Sequence, residues 1–161
     1  MLEIGAQAPS FTLLDTAREE RTLADFRGRP LVIAFFPAAF TGVCEKELCT
    51  FRDSLAGLNE VGAAVVAISV DAPFANAAFV ERNNLNFAVL SDYRRDAVRA
   101  YGVAHDDFAG MQGYTAAKRS VFVVSGEGKI AYAWIAPNPG VEPDYDAVGQ
   151  AVRALESSSA S

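Results

Sequence analysis

Both cysteines of the 161-residue chain fall in one short stretch, FFPAAFTGVCEKELCTFRD (Phe35 to Asp53), where Cys44 and Cys49 lie five residues apart behind Pro37 and Thr41. A thiol attacks only as its thiolate, so the question is what near each sulfur favours the anion. The apolar run PLVIAFF reads as a strand ending at Pro37, and a helix reads from Thr41 or Gly42 onward, which puts Cys44 in the first helical turn. Unpaired N–H groups and the positive end of the helix dipole at that turn favour a thiolate. A small apolar residue packed inertly in a core is the commoner fate of an isolated cysteine, and position alone leaves both readings open.

Cys44, Leu48, Phe51, Leu55 and Leu58 recur at spacings of four and three, one stripe facing a core, with Cys44 at its head. Cys49 is turned about 140° from Cys44 and lies off that stripe. An intact helix holds Cα atoms five residues apart at roughly 8.7 Å, beyond the usual disulfide limit of about 6.8 Å, so bridging the pair requires the helix to unwind. The spacing is not that of a two-residue redox pair. His105 is the only histidine and cannot complete a zinc site, so no metal and no cofactor are expected. Glu47, about 60° from Cys44, stands at the buried edge of the helix, where a lone carboxylate is costly and an arginine partner is needed.

The elements that must position these residues follow from the same patterning. Strand signals cover Ser10 to Leu14, Pro30 to Phe36, Ala63 to Val70, Phe87 to Leu90, Arg119 to Val124 and Lys129 to Ile135. Helical patterns lie near Thr41 to Asn59, Pro73 to Asn83, Arg94 to Ala100 and Asp144 to Leu155, SGEG before Lys129 reads as a hairpin turn, and HDDF (His105 to Phe108) reads as a polar loop. Alternating strands and helices predict an α/β domain with a central mixed sheet and helices on both faces, spanning residues 1–156, with 157–161 as a flexible tail.

Composition bounds the partners. The 51% apolar share is ample for a single core, so the cysteines are not needed as a structural staple. A net charge of -6 without any basic run argues against nucleic acid and anionic membranes. MLEIGAQAPSF lacks the basic start and long apolar run of a signal peptide, so a cytoplasmic location is expected.

Taken together, Pro37, Thr41 and Cys44, in the pattern Pro, three residues, Thr, two residues, Cys, resemble the signature of the peroxiredoxins, thiol peroxidases on a thioredoxin-like fold. The segments IGAQAPSFTLLD, LADFRGRPLVIAFFP and KRSVFVVSGEGKI extend the resemblance over nearly the whole chain. FTGVC with Glu47 is similar to the AhpE-like branch, whereas a cysteine five residues on is the pattern of the Q-type, bacterioferritin-comigratory branch. The resemblance implies that Cys44 is the peroxidatic nucleophile, that Arg119 and Thr41 serve the hydroperoxide oxygens together with the Val43 and Cys44 N–H groups, and that Pro37 shapes the pocket. It also implies that Glu47 bonds Arg119, that Cys49 resolves the sulfenate as an intramolecular disulfide, that thioredoxin or a similar thiol recycles it, and that the chain is a homodimer. AhpE-like resolution by an external thiol is the alternative. A protein disulfide oxidoreductase and a thioredoxin-fold binding module are rivals that fold alone permits. Singly, Thr41 as a helix cap, Pro37 as a strand end and Arg119 as a surface residue are each ordinary.

Overall fold

Two runs with almost no polar residue form the centre of the molecule. Strands β3 (Leu31–Phe35) and β4 (Ala64–Ser69) are buried at every position and pair in parallel, Leu31 opposite Ala64 and Phe35 opposite Ile68. Burial on both faces is what a continuous apolar strand requires. The computed structural model describes residues 2–60 and 62–159, with the side chains of residues 43, 44, 55–60 and 156–159 outside the description.

Around this pair stand β1 (Thr12–Leu14), β2 (Glu20–Thr22), β5 (Ala88–Ser91), β8 (Ser120–Val124) and β9 (Ile130–Ile135), in the order β2-β1-β5-β4-β3-β8-β9. β3, β4 and β5 run parallel, and the remaining pairings are antiparallel. The chain thus has the mixed α/β sheet of a thioredoxin-like fold. A separate antiparallel pair is formed by two-residue strands β6 (Ala104–His105) and β7 (Ala116–Ala117).

Alternation along the strands divides the core in two. On one face Val32, Ala34, Val65, Ala67, Val121 and Val123 pack against α1 (Gly42–Glu60), α2 (Pro73–Asn83) and α4 (Tyr145–Ser159), which contribute Leu48, Phe51, Phe79, Val148 and Val152. On the other, Ile33, Phe35, Val66, Ile68 and Phe122 pack against α3 (Asp96–Ala100), Tyr101 and the N-terminal Phe11, Leu23 and Phe26. Helices therefore cover both faces. The turn read from SGEG joins β8 to β9: the Gly128 N–H donates to the Ser125 carbonyl at 2.9 Å. Gly128 has φ +88°, a left-handed conformation that selects glycine.

The structure adds one strand to the sheet of the sequence reading and corrects the reading of HDDF. β2, of sequence ERT, has no apolar signal and forms because it pairs with β1 at Thr12–Thr22 and Leu14–Glu20. HDDF is not one loop: His105 belongs to β6, Phe108 opens a short 3-10 helix, and the two rings meet edge to face at 5.3 Å. Cys49 lies off the core stripe, as its position on the helix predicts, and is half-buried because α2 packs on that side of α1.

Candidate active site

The site is built at one end of the sheet. Phe35 closes β3 opposite Ser120 of β8, which in turn faces Ile135 of β9. Because β8 runs antiparallel to both neighbours, Pro37, Arg119 and Pro137 all emerge from this row on the same side.

The loop after β3 is anchored at several points. The Phe36 N–H donates to the Ile68 carbonyl at 3.0 Å, Pro37 is buried, and the Ala39 N–H donates to Asp71 Oδ2 at 2.8 Å. Phe40 has φ +66°, a conformation unfavourable for a bulky residue, and its half-exposed ring is held against Phe79 at 5.3 Å with the Arg82 guanidinium above it. Thr41 follows, exposed, its hydroxyl donating to the Ala38 carbonyl at 3.0 Å while its own carbonyl receives the Glu45 N–H. The helix begins at Gly42, so the backbone of Cys44 lies in the first turn, where the N–H groups have no partner within the helix. The Cys44 side chain lies outside the described residues.

Arg119 immediately precedes β8. With 2% of its side chain exposed, it is no surface residue: Nη1 donates to Glu47 Oε1 at 2.9 Å and Nε to the Pro139 carbonyl at 3.0 Å. Glu47 is one helical turn past Cys44, and side chains three apart on a helix are neighbours. The guanidinium of a residue 72 positions away in sequence is therefore held against Glu47, one helical turn past Cys44.

Glu47 is fully buried, and Oε2 has no hydrogen-bond partner among the described residues. Burial pushes the carboxyl up to about 8, against the opposing pull of the Arg119 guanidinium. Beside it, Lys46 pairs with Glu142 at 3.1 Å, and the Tyr145 hydroxyl donates to the other Glu142 oxygen at 2.8 Å. These two bonds hold Glu142 below the usual carboxylate range, the Tyr145 hydroxyl being the larger cause. Tyr145 also stacks edge-on with Phe51 at 5.3 Å. The first three turns of α1 are thus tied to the segment ahead of α4.

Cys49 points the other way. Its thiol donates to Asn83 Oδ1 at 3.5 Å, Asn83 Nδ2 donates to the Phe79 carbonyl, and Arg52 donates to the Asn83 carbonyl. Asp71, Asn83, Pro139, Glu142 and Tyr145 were not singled out from sequence. Of these, only Pro139 lies in a run, PNPG (Pro137 to Gly140), whose composition carries a turn signal that could have drawn attention to it. Among the described residues no three His, Cys, Asp or Glu side chains converge as a metal site, and no described helix is long and apolar enough to cross a membrane.

The AhpC/TSA family pattern matches residues 4–133. The chain belongs to this family, as a peroxiredoxin. A Mycobacterium tuberculosis protein that carries the peroxiredoxin name is 40% identical over 129 residues, spanning 80% of this chain and 82% of the relative. The thiol peroxidase of Bacillus subtilis is 34% identical over 156 residues, spanning 96% and 89%. Among solved structures, the bacterioferritin comigratory protein of Xanthomonas campestris, described for its alkyl peroxide reduction activity, superposes with a TM-score of 0.81 at 26% identity, covering 97% of this chain and 98% of the other. As a peroxiredoxin the chain is a thiol peroxidase, an oxidoreductase that acts on peroxide with thiol as reductant.

Proposed function

We propose that this peroxiredoxin reduces hydrogen peroxide and organic hydroperoxides through Cys44. The Cys44 thiolate attacks the terminal oxygen of the hydroperoxide; the S–O bond forms as the O–O bond breaks, and the departing oxygen takes a proton to leave as water or alcohol. Arg119 stabilises the thiolate and the charge on the leaving oxygen. The Thr41 hydroxyl turns from the Ala38 carbonyl to the peroxide, the Val43 and Cys44 N–H groups serve the same oxygens, and Pro37 limits water around the sulfur. The observation that carries this reading is the burial of Arg119 against Glu47, one turn from Cys44. An arginine in that position serves a small anionic transition state better than a polypeptide substrate.

Cys49 then attacks the sulfenate sulfur, a disulfide forms, and water leaves. Thioredoxin or a similar thiol reduces the disulfide. Because Cys49 is held on the α2 side of the helix, this step follows unwinding of α1 from about Thr41 to Phe51. The same contact favours the second reading, in which an external thiol resolves the sulfenate and Cys49 is only packing. We further propose a cytoplasmic homodimer built from one domain.

Intact-mass measurement after one equivalent of hydrogen peroxide decides between the two routes. A product lacking two hydrogens is the Cys44–Cys49 disulfide, and one carrying an added oxygen is the sulfenate. No change at all overturns the peroxidase reading of Cys44.

A further inference from the structure

Polar side chains at the ends of β4 and β5 have no part in the chemistry proposed above. Ser69 and Ser91 close these strands as register partners, and both are buried. Asp71, half-buried, stands just beyond Ser69. The Ser91 hydroxyl donates to the Asp71 carbonyl at 2.6 Å, and the Asp71 N–H donates to Ser69 Oγ at 3.2 Å. Ser69 gives its own proton to Asn76 Oδ1 at 3.0 Å, which leaves its oxygen able to accept. The backbone of Asp71 is therefore clamped on both sides by the central strands.

What the Asp71 side chain holds is one peptide group. Oδ2 receives the Ala39 N–H at 2.8 Å, and the carbonyl of the same peptide unit, that of Ala38, receives the Thr41 hydroxyl at 3.0 Å. The N–H and C=O of a trans peptide point in opposite directions in one plane, so the two bonds together fix its orientation. A carboxylate at the N–H also polarises the peptide and makes its carbonyl a better acceptor. Phe40, between the two anchored residues, stands at φ +66°, a conformation that persists only where its surroundings over-determine it.

We infer that Asp71 is a positioning residue for the peroxidase reaction, acting on Thr41 through the Ala38–Ala39 peptide. The proposal rests on the peroxidase reading above. With the peptide plane fixed, the Ala38 carbonyl holds the Thr41 hydroxyl at one place ahead of α1, from which it turns to the hydroperoxide. Without the carboxylate the peptide can rotate, its carbonyl leaves Thr41, and the hydroxyl loses its starting place. Asp71 itself touches no reacting atom. Thiolate formation at Cys44, favoured by the helix end and by Arg119, does not depend on it.

Stopped-flow oxidation by hydrogen peroxide, and alkylation of Cys44 by iodoacetamide followed by peptide mass spectrometry, separate this role from general support of the loop. Alkylation needs the thiolate but no contact from Thr41. Asp71→Ala should lower the peroxide rate constant about tenfold, the scale of one hydrogen bond to a charged group, and leave alkylation within about twofold of the parent. Asp71→Asn, which keeps a neutral acceptor, should lose about threefold, and it carries the test if Asp71→Ala does not fold. In a Thr41→Val background neither substitution should lower the peroxide rate further, because residues acting through one contact are not additive. Equal losses in the two reactions, a loss that persists in Thr41→Val, or an unchanged peroxide rate in Asp71→Ala overturns the role of Asp71 while leaving the peroxidase reading intact. Absence of reaction with hydrogen peroxide in the parent overturns both.

Discussion

The thiol of Cys49 donates to Oδ1 of Asn83 at 3.5 Å, joining the second turn of helix α1 to the last turn of α2. The contact holds the sulfur proposed to resolve the sulfenate on the side of the helix away from Cys44, and Arg52 adds a second tie to the same asparagine. Release of this pair belongs to the unwinding that any Cys44–Cys49 bridge requires.

Asn83→Ala should therefore speed disulfide formation several-fold once the sulfenate exists, since a net hydrogen bond of about 1 kcal/mol no longer opposes unwinding. Rapid quench after a peroxide pulse, with alkylation of free thiols, gives the rate. A rate equal to that of the parent would mean that Asn83 is not part of the restraint.

Glu47 sets a pH dependence of opposite sign to that of most buried carboxylates in ion pairs. Its folded value, about 8, lies above the ordinary 4.5, so the folded state holds the extra proton between those limits. The contribution to stability is fully present below about 4.5, is lost as pH rises toward 8, and changes little beyond. Amide exchange across α1, corrected for intrinsic rates, should show easier opening over that window. Glu47→Gln should flatten this component, and persistence of the slope in the variant would assign it to another group.

Arg119→Lys keeps a charge but cannot place two donors on both Glu47 and Pro139, which belong to different segments. Peroxide reactivity should fall by orders of magnitude. A variant within a factor of about two of the parent in stopped flow would remove Arg119 from the site.

Leu48 is wholly buried between Glu47 and Cys49 on the face that packs on the sheet. Leu48→Ala should destabilise the chain by about 2–5 kcal/mol, read as a lower urea midpoint at constant slope. A loss under about 1 kcal/mol would show that the cavity collapses.

Cys44→Ser should abolish peroxide consumption, because a serine hydroxyl is not ionised at neutral pH. Retained turnover in a coupled thiol-reductant assay would place the nucleophile elsewhere.

What could be read in advance followed the range of each interaction. β3 and β4 were legible to within a residue or two at each end, since an unbroken apolar run in a two-sided sheet carries its own signal. The start of α1 at Gly42 was legible from the strand end and the stripe after it. α4 runs to Ser159, four residues past the expected Leu155, where small polar residues carry no periodic pattern. Burial of Arg119 was not legible, because it depends on the loop at Pro139 folding over the guanidinium. Nor was the Asn83 contact, since nothing within helix α1 indicates which residues of α2 pack beside Cys49.

The register of β3 has a consequence for synthesis. This strand, whose end becomes the site loop, is flanked by β4, which follows soon after it, and by β8, where Leu31 pairs with Val124. A growing chain can join β3 to β4 while still on the ribosome, but one edge of β3 stays open until residue 124 has emerged. Arg119 arrives in the same stretch. The cysteine-bearing helix is thus made early and its guanidinium partner about seventy residues later, so a nascent chain presents Cys44 before Arg119, the cation proposed to activate it, exists.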